Sequence, residues 1–427
     1  MEELTKAEPT GWGGYKYFLG LDWAQAHHAI VVLAVDGRKV LDVQIAQDAA
    51  GWQGLRQKLG DLAGADLSVV AATVETTCGP AVERLFELGC ALYPINPKAG
   101  QRYRDRKVPS GGKSDRLDAW CFADALRTDG HAWRRLAPED PQIQELRLLC
   151  RDERQLIRRR TALVNQLRQA LQEYYPAALE AFEDWTIPGP WDFVLRFPTP
   201  AVLVKAGKRA WEKFLHSHHL YRRDTWDKRR EIFARAAQFC GTEPVTRAKS
   251  LLAVSLAKEL RTVHQQLRDY RERITSLFQA HPDHELFGSL PGAGDTLAPR
   301  LLSECGQDRA RFEDHEALQC YAGTAPVSFQ SGQIHVVRFR WACNRELRAA
   351  VHLWADRSRK SCTWAQVYYE HKRQEGKSHA CALRCLGQRW LKIFWKMWQT
   401  RQPYDEQVHT RNQVRHGSWV LALAPAK

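Results

Sequence analysis

The first 126 residues alternate short apolar segments with turn residues, and this pattern restricts the region to a sheet flanked by helices. Residues 17 to 47 predict three strands, and Asp36-Gly37 forms the hairpin turn between the second and the third. Further elements are predicted over 48 to 60 (helix), 67 to 75 (strand), 80 to 88 (helix), 91 to 95 (strand) and 113 to 126 (helix). Three consecutive strands followed by alternating helices and strands predict an α/β domain with a mixed sheet.

The middle of the chain has a different, helical periodicity. Between residues 145 and 173, Leu149, Leu156, Leu163 and Ala170 recur every seven positions, which is typical of a long amphipathic helix or a coiled coil. Residues 245 to 280 predict a second long helix, and a stretch rich in proline and tryptophan interrupts the pattern after residue 176. Two long helices separated by an insertion predict an antiparallel arm or a dimerising element.

A third unit begins near residue 285 with the motif LPGAG at 290 to 294, directly before a helix. This motif resembles a helix-hairpin-helix, whose glycine turn offers backbone N–H groups to a phosphate, but it equally fits a tight turn between two helices. We therefore expect a domain over 15–140, a helical arm with an insertion over 141–284, a mostly α-helical domain over 285–405, and a tail over 406–427 without strong periodicity.

The charge of the chain favours a polyanionic partner. Its 427 residues carry 63 Lys and Arg against 49 Asp and Glu, a formal net charge of +14. Cations placed along a phosphate backbone release condensed counterions, so nucleic acid is the expected partner, although charge alone does not separate DNA from RNA or from an anionic membrane. The polar N-terminus predicts no secretory leader, no apolar stretch has the length of a membrane span, and the eleven scattered cysteines are expected to be reduced, so we expect a cytoplasmic protein.

Four carboxylates stand at positions where a sheet and a helix can bring them together. Asp22 and Glu75 each end a predicted strand, whereas Asp115 and Asp118 lie three residues apart on one face of a predicted helix. Each acid taken alone is better explained as a turn, cap or surface residue. Together they predict a site for a hard divalent cation, Mg²⁺ or Mn²⁺, because clustered carboxylates repel one another unless a cation neutralises them.

Ser331 is a candidate nucleophile, since it precedes Gly332 in a loop-like stretch before a basic strand. A serine hydroxyl needs a base, a cation or a metal to become reactive, and by the residues alone Ser331-Gly332 is more simply a turn. Ser328 is a nearby competitor. Basic side chains without obvious local acids are candidates for nucleic-acid binding: Arg102, Arg104, Arg106, Lys107, Lys113, Arg158, Arg159, Arg338, Arg340, Arg345 and Arg348.

Several segments resemble the DEDD transposases of the insertion-sequence 110 family. They are GLDWAQ, VETTCGP and INPKAGQRYRDRKVPSGGKSDRLDAW in the first part, and LPGAGDTLAPRLLSECG, YAGTAPVSFQSG and NRELRAAVHLWA in the last part. The resemblance implies an RNase H-like (RuvC-like) N-terminal domain, a coiled-coil arm and a C-terminal transposase domain. It also implies that Asp22, Glu75, Asp115 and Asp118 bind the metal and that Ser331 attacks DNA to form a phosphoserine link.

The same resemblance implies an RNA-guided recombinase that cuts and rejoins donor and target DNA. The guide would be a structured bridge RNA encoded by the element, and the protein would act as a homo-oligomer, a dimer or a tetramer. Two alternatives stay open at this point. One is a metal-only RuvC-like endonuclease in which water attacks and Ser331 is structural; the other is a non-catalytic RNA- or DNA-binding protein.

Overall fold

A computed structural model describes residues 11–418 and divides the chain into two compact units, with the boundary between Pro138 and Glu139. Most of the polar N-terminus and the end of the expected tail, residues 1–10 and 419–427, lie outside the described residues. Most of the described residues are helical, as the sequence predicts for most of the chain after residue 141. Within the described residues, no helix is both long enough and apolar enough to cross a membrane.

The first unit is built on a five-stranded mixed sheet. Its elements are β1 (Tyr17–Asp22), β2 (His27–Ala34), β3 (Lys39–Ala46), α1 (Ala49–Ala63), β4 (Val70–Val74), α2 (Pro80–Leu88), β5 (Ala91–Leu92), α3 (Pro97–Lys107) and α4 (Asp115–Asp129). The strand order is β3-β2-β1-β4-β5; β1 is antiparallel to β2 and parallel to β4. This confirms the expected mixed α/β sheet and is compatible with an RNase H-like domain.

Helices cover both faces of this sheet. Leu19 and Leu21 of β1 share a buried apolar cluster with α1 and α2, while Phe18 and Gly20 of the same strand face α4. The closest approach is at Gly20, where an added Cβ would lie 2.0 Å from the carbonyl oxygen of Ala119 and 2.5 Å from the amide nitrogen of Ala123. Both obstacles are helix backbone. Only glycine at this position therefore allows α4 to lie so close to β1.

The second unit begins with two long helices. Its elements are α5 (Pro141–Tyr174), α6 (Pro176–Ala181), α7 (Pro188–Arg196), α8 (Pro200–Ser217), α9 (Arg223–Arg235), α10 (Glu243–Ala280), α11 (His284–Gly288), α12 (Gly294–Cys305), α13 (His315–Tyr321), β6 (Val327–Ser331), β7 (Ile334–Arg338), α14 (Arg345–Ser361), α15 (Thr363–Gln374), α16 (His379–Thr400) and α17 (Glu406–Arg415). Ion pairs between Glu145 and Arg273 and between Glu173 and Lys249 show that α5 and α10 run antiparallel. The two long helices are therefore antiparallel neighbours, while their coiled-coil winding and their role as an arm or a dimerising element stay predictions.

Two hydrophobic clusters lie in the second unit. In one, helices α6 to α9 of the interrupted segment pack their aromatic side chains, such as Trp191 and Phe193, against the distal parts of α5 and α10. The other combines the opposite ends of α5 and α10 with α11 to α16 around Trp354 and Trp390. The proline- and tryptophan-rich stretch is thus a folded helical cap with its own core.

Two local expectations differ from the structure. The sequence predicts no helix between residues 95 and 113, but α3 lies there, because Asn96 caps its N-terminus and Pro97 occupies its first turn. The tail contains α17, whose first turn is capped by Asp405. In the LPGAG turn, Gly292 lies against the backbone of α14, where a Cβ would be 2.7 Å from the Ser358 nitrogen, and the Trp354 indole donates to the Pro291 carbonyl. Helix α14 therefore covers the turn at Pro291 and Gly292.

We predict that Gly20→Ala destabilises the first unit, because the new methyl group meets helix backbone that has no rotamer through which to move away. Overpacking of this kind costs about 1–3 kcal/mol or more. Thermal or urea unfolding of the full chain measures the loss. The matched control is Gly54→Ala in α1, where nothing lies within 4 Å of the added methyl group and alanine is the better helix former. Equal stability of the two variants would contradict the prediction.

Candidate metal centre and serine hairpin

The two strand-end carboxylates lie on the face of the sheet that α4 covers. Asp22 is the last residue of β1 and has the same side-chain parity as Gly20, the point of contact with α4. Glu75 directly follows β4, which pairs in parallel with β1. Asp115 is the first residue of α4 and Asp118 is one turn further, with the Ser114 hydroxyl capping the helix. Strand pairing and the Gly20 contact thus bring together acids that lie up to 96 residues apart.

Electrostatics shows that these four acids act on one another. The pKa of Asp22 is raised to about 6, first because the carboxyl group is partly buried and then because Asp118, Asp115 and Glu75 repel its charge. The pKa of Glu75 is also raised, by burial and by Asp118, while Arg104 and Lys113 oppose the shift. A concentration of negative charge that the protein disfavours in this way is a place where an added cation stabilises the fold.

A protein cation already neutralises one member of the group. The Arg104 guanidinium of α3 donates to both carboxylate oxygens of Asp118, at 2.6 and 2.8 Å, and the Asp118 side chain is only 6% exposed. Within residues 11–418, no three His, Cys, Asp or Glu side chains are grouped closely enough to hold a metal ion as they stand. The oxygen donors suit Mg²⁺, but a cation bound through Asp118 would have to replace the pairing with Arg104.

Helix α3 forms one wall of the site and also uses some of the predicted basic residues. An added Cβ at its Gly100 would lie 2.7 Å from the Glu75 Oε1 atom, so this glycine leaves room for the carboxylate. Arg104 pairs with Asp118, and Lys107 pairs with Asp124 at 2.6 Å. These two cations therefore neutralise internal acids. Arg102, Arg106 and Lys113 are exposed, and their contact with nucleic acid stays a prediction.

Ser331 lies in a β-hairpin and not in an irregular loop. It is the last residue of β6 and pairs with Ile334 at the start of β7; Gly332 occupies the first turn position with a positive φ of 57°. The sequence signal that was missed is the alternation in VSFQS before a turn glycine. Ser328, three residues earlier, faces the opposite side of the ribbon, because strand side chains alternate. Both serines are exposed.

The base of this hairpin is fixed by hydrogen bonds from predicted DNA-binding residues. The Arg340 guanidinium donates to the carbonyls of Ala325 and Pro326, and Arg348 donates to the carbonyl of Arg340. Asn344 caps α14 and its amide also donates to Glu304 and Tyr321. Arg340 and Arg348 thus have structural roles, whereas Arg338 and Arg345 are exposed.

The arginine-rich part of α5, which contains the predicted Arg158 and Arg159, is partly balanced by acids from other helices. Arg151 pairs with the buried Glu304, and Arg154 pairs with Glu346. Arg159 lies 3.6 Å from Glu259, a weak, exposed pairing, and Arg158 is exposed. The acids lie about 100 to 190 residues away in sequence, which is why the local pattern did not reveal them.

Two models of known protein families match the chain, one near its N-terminus and one in its C-terminal part. A DEDD transposase model of the IS110 type matches residues 19–176, and a model described as transposase of the IS116/IS110/IS902 family matches residues 284–370. The first match contains the four carboxylates, and the second contains Ser331. Both define the class of protein as a transposase.

Similar proteins extend along most of the chain. The mini-circle transposase protein of IS117 from Streptomyces coelicolor is 34% identical over 398 residues, covering 91% of this chain and 95% of its own. The insertion element IS110 protein of the same organism is 29% identical, with 92% and 96% covered. The transposase of insertion sequence IS1111A from Coxiella burnetii is 22% identical, with 86% and 91% covered. The chain belongs to the IS110 family of transposases.

We predict that Asp22→Asn stabilises the protein above pH 6. The raised pKa of Asp22 means that ionisation is disfavoured in the folded state, so its penalty is absent below the ordinary carboxyl pKa and complete above about 6. The raised pKa sets an upper limit of roughly 3 kcal/mol, which solvent screening reduces because the carboxyl group is only half-buried, and each kcal/mol shifts Tm by about 2 °C in a chain of this size. Melting curves in metal-free buffer from pH 5 to 8 should show a gain that grows with pH. The exposed Asp105→Asn is the control; an Asp22→Asn variant that melts below wild type at pH 7.5 would refute the prediction.

Proposed function

We propose that this transposase is an RNA-guided recombinase that cuts and rejoins donor and target DNA through a phosphoserine intermediate. The observation that carries the proposal is the mutual repulsion of Asp22, Glu75, Asp115 and Asp118, which come from three separate segments and converge on one face of the sheet. Structural acids are normally paired with cations or separated from one another. Membership of a transposase family supports DNA as the substrate.

The carboxylates would hold a divalent cation, Mg²⁺ or Mn²⁺. Bound there, the cation would supply electrostatic stabilisation of the charge that develops on the scissile phosphate and on the leaving oxygen. Asp118 would join the ligand set once Arg104 releases it, and the guanidinium would then be free to contact a phosphate oxygen. Lys113, whose charge already acts on Asp22 and Glu75, would contribute to the same field.

Ser331 would be the nucleophile. Its Oγ atom attacks the phosphorus, the new O–P bond forms as the bond to a sugar oxygen breaks, and the serine proton is lost while the leaving oxygen gains one. The free energy of the phosphodiester is kept in the link, so a sugar hydroxyl of another strand can reverse the step without ATP. The exposed end of a β-hairpin suits this role, because DNA can approach the hydroxyl from solvent.

Sequence choice would come from a structured bridge RNA, and the protein's cations would mainly bind phosphate backbones. The net charge of +14 and the exposed Arg102, Arg106, Lys113, Arg158 and Arg345 support such contacts. The antiparallel pair of α5 and α10 would serve as an oligomerising arm, giving a dimer or a tetramer in which carboxylates of one subunit act with the serine of another. In this proposal the carboxylate domain ends at residue 140, the helical arm spans 141–284, and the domain that carries the serine begins at residue 285.

Loss of any one carboxylate should abolish strand cleavage but leave nucleic-acid binding largely intact. Asp115→Asn, Asp118→Asn and Glu75→Gln keep the side-chain shape and remove the charge that a cation requires. The assay compares cleavage of labelled DNA with its binding, in the presence of Mg²⁺ and of RNA recovered with the protein from its host. Asp105→Asn on α3 is the exposed control and should cut normally. Undiminished cleavage by Asp118→Asn would exclude a metal site of this composition.

Ser331→Ala should stop cleavage completely and remove the covalent protein–DNA adduct. Ser331→Cys should retain slow activity, since a thiolate can replace the hydroxyl. Ser328→Ala is the matched control on the opposite face of the same strand. The measurement is a denaturing gel of protein with labelled DNA and guide RNA, followed by peptide mapping. Cleavage by Ser331→Ala at the wild-type rate, with free DNA ends, would instead assign the chain as a metal-only endonuclease.

A further inference from the structure

The face of the β6–β7 ribbon that carries Ser331 is apolar and open to solvent. In the antiparallel register Phe329 lies opposite Val336, and Ser331 lies opposite Ile334, so all four side chains point to one side. Phe329 is 50% exposed, Ile334 66% and Val336 38%. The opposite side carries Ser328 with Val337 and Gln330 with His335. A hydroxyl between large exposed apolar side chains is an unusual surface for a folded protein.

Charge on the ribbon indicates what this face binds. Residues 327 to 341 contain Arg338, Arg340 and His335 but no acid. Arg338 is on the Ser331 face, and its guanidinium lies over the Phe329 ring at 4.8 Å from the ring centre. A ligand that covers this face must offer flat apolar surface and negative charge together. A second copy of the ribbon would bring arginines against arginines and supply no acid.

We propose that this face binds the nucleobases next to the phosphate that Ser331 attacks, and that it holds them unstacked from the duplex. The proposal rests on Ser331 being the nucleophile proposed above. Bases present a flat apolar surface and their phosphates carry the negative charge, which together match Phe329, Ile334 and Arg338. Apolar side chains inserted between base steps open a duplex in other DNA-binding proteins.

The arrangement assigns a separate task to each residue. Ile334 pairs directly with Ser331, so it would lie beside the attacked phosphate and act as the wedge between the flanking bases. Phe329, two residues before Ser331, would stack on the displaced base. Arg338 would bind an adjacent phosphate. Opening the helix at the cut is also what strand exchange requires, since the broken strand must leave its old partner before it joins a new one.

The test uses the full chain with Mg²⁺, the RNA recovered with the protein and a duplex that the wild-type protein cleaves, with 2-aminopurine placed beside the cut. Ile334→Thr and Phe329→Thr remove the apolar surface and place at each position a β-branched residue that is suited to a strand. Val337→Thr makes the same kind of change on the opposite face and is the control. Wild type and Val337→Thr should raise 2-aminopurine fluorescence and form the adduct. The Ser331-face variants should lose the rise and form the adduct at least tenfold more slowly.

A substrate with a mismatch at the same step provides the decisive comparison. Mismatched bases cost less free energy to unpair and unstack, so Ile334→Thr should regain most of the wild-type rate on this substrate. The inference is overturned if Val337→Thr is equally impaired, if the mismatch does not restore Ile334→Thr, or if Ile334→Thr instead loses self-association by light scattering with normal fluorescence. Ser331→Ala separates the two proposals: it should still raise the fluorescence, and cutting by this variant would refute the nucleophile without removing the evidence for base contact.

Discussion

The first unit depends on the contact between β1 and α4 at Gly20. There, two backbones approach until a single methyl group would lie 2.0 Å from a carbonyl oxygen. This proximity turns the end of β1 and the first turn of α4 into neighbours, and the carboxylates of Asp22 and Asp118 therefore repel one another. Gly100 in α3 leaves the space that the Glu75 carboxylate occupies. The close packing of the β1 and α4 backbones brings the acids together. The same packing stabilises the unit and offsets the repulsion between their carboxylates.

In the second unit, the Ser331 hydroxyl is exposed to solvent, but its position is restrained by the residues at the base of the hairpin. Its ribbon makes few contacts of its own, so the bonds from Arg340 to Ala325 and Pro326 and the capping of α14 by Asn344 restrain it from the base. Asn344 is in turn held by Glu304, an acid that is 3% exposed and paired with Arg151. Buried networks of hydrogen bonds and ion pairs fix the orientation of side chains as well as stabilising the fold. In this unit such a network extends from α5 through α12 to the base of the hairpin.

Much of the first unit could be predicted from sequence because its signals are local. Strand alternation, the Asp36-Gly37 turn and the bounds of α2 depend on neighbouring residues, and the four acids follow from where strands and helices begin and end. The roles of the arginines could not be predicted in this way. Arg104 and Arg151 are paired with acids 14 and 153 residues away, and only the fold decides which charges remain free. Helix α3 was missed because the basic residues outweighed its Asn96-Pro97 start.

The serine hairpin has a consequence for the chain when no nucleic acid is bound. Both of its strands are edges, so each leaves a row of backbone N–H and C=O groups without a strand partner, beside exposed Phe329 and Ile334. Such edges pair readily with other strands, and charged side chains are a common protection against that pairing. Two ribbons that met edge to edge would bring together Arg338 and Arg340 of both copies, and residues 327 to 341 contain no acid to offset them. The same cations that favour a polyanion therefore also protect the exposed strand edges from pairing with a second copy.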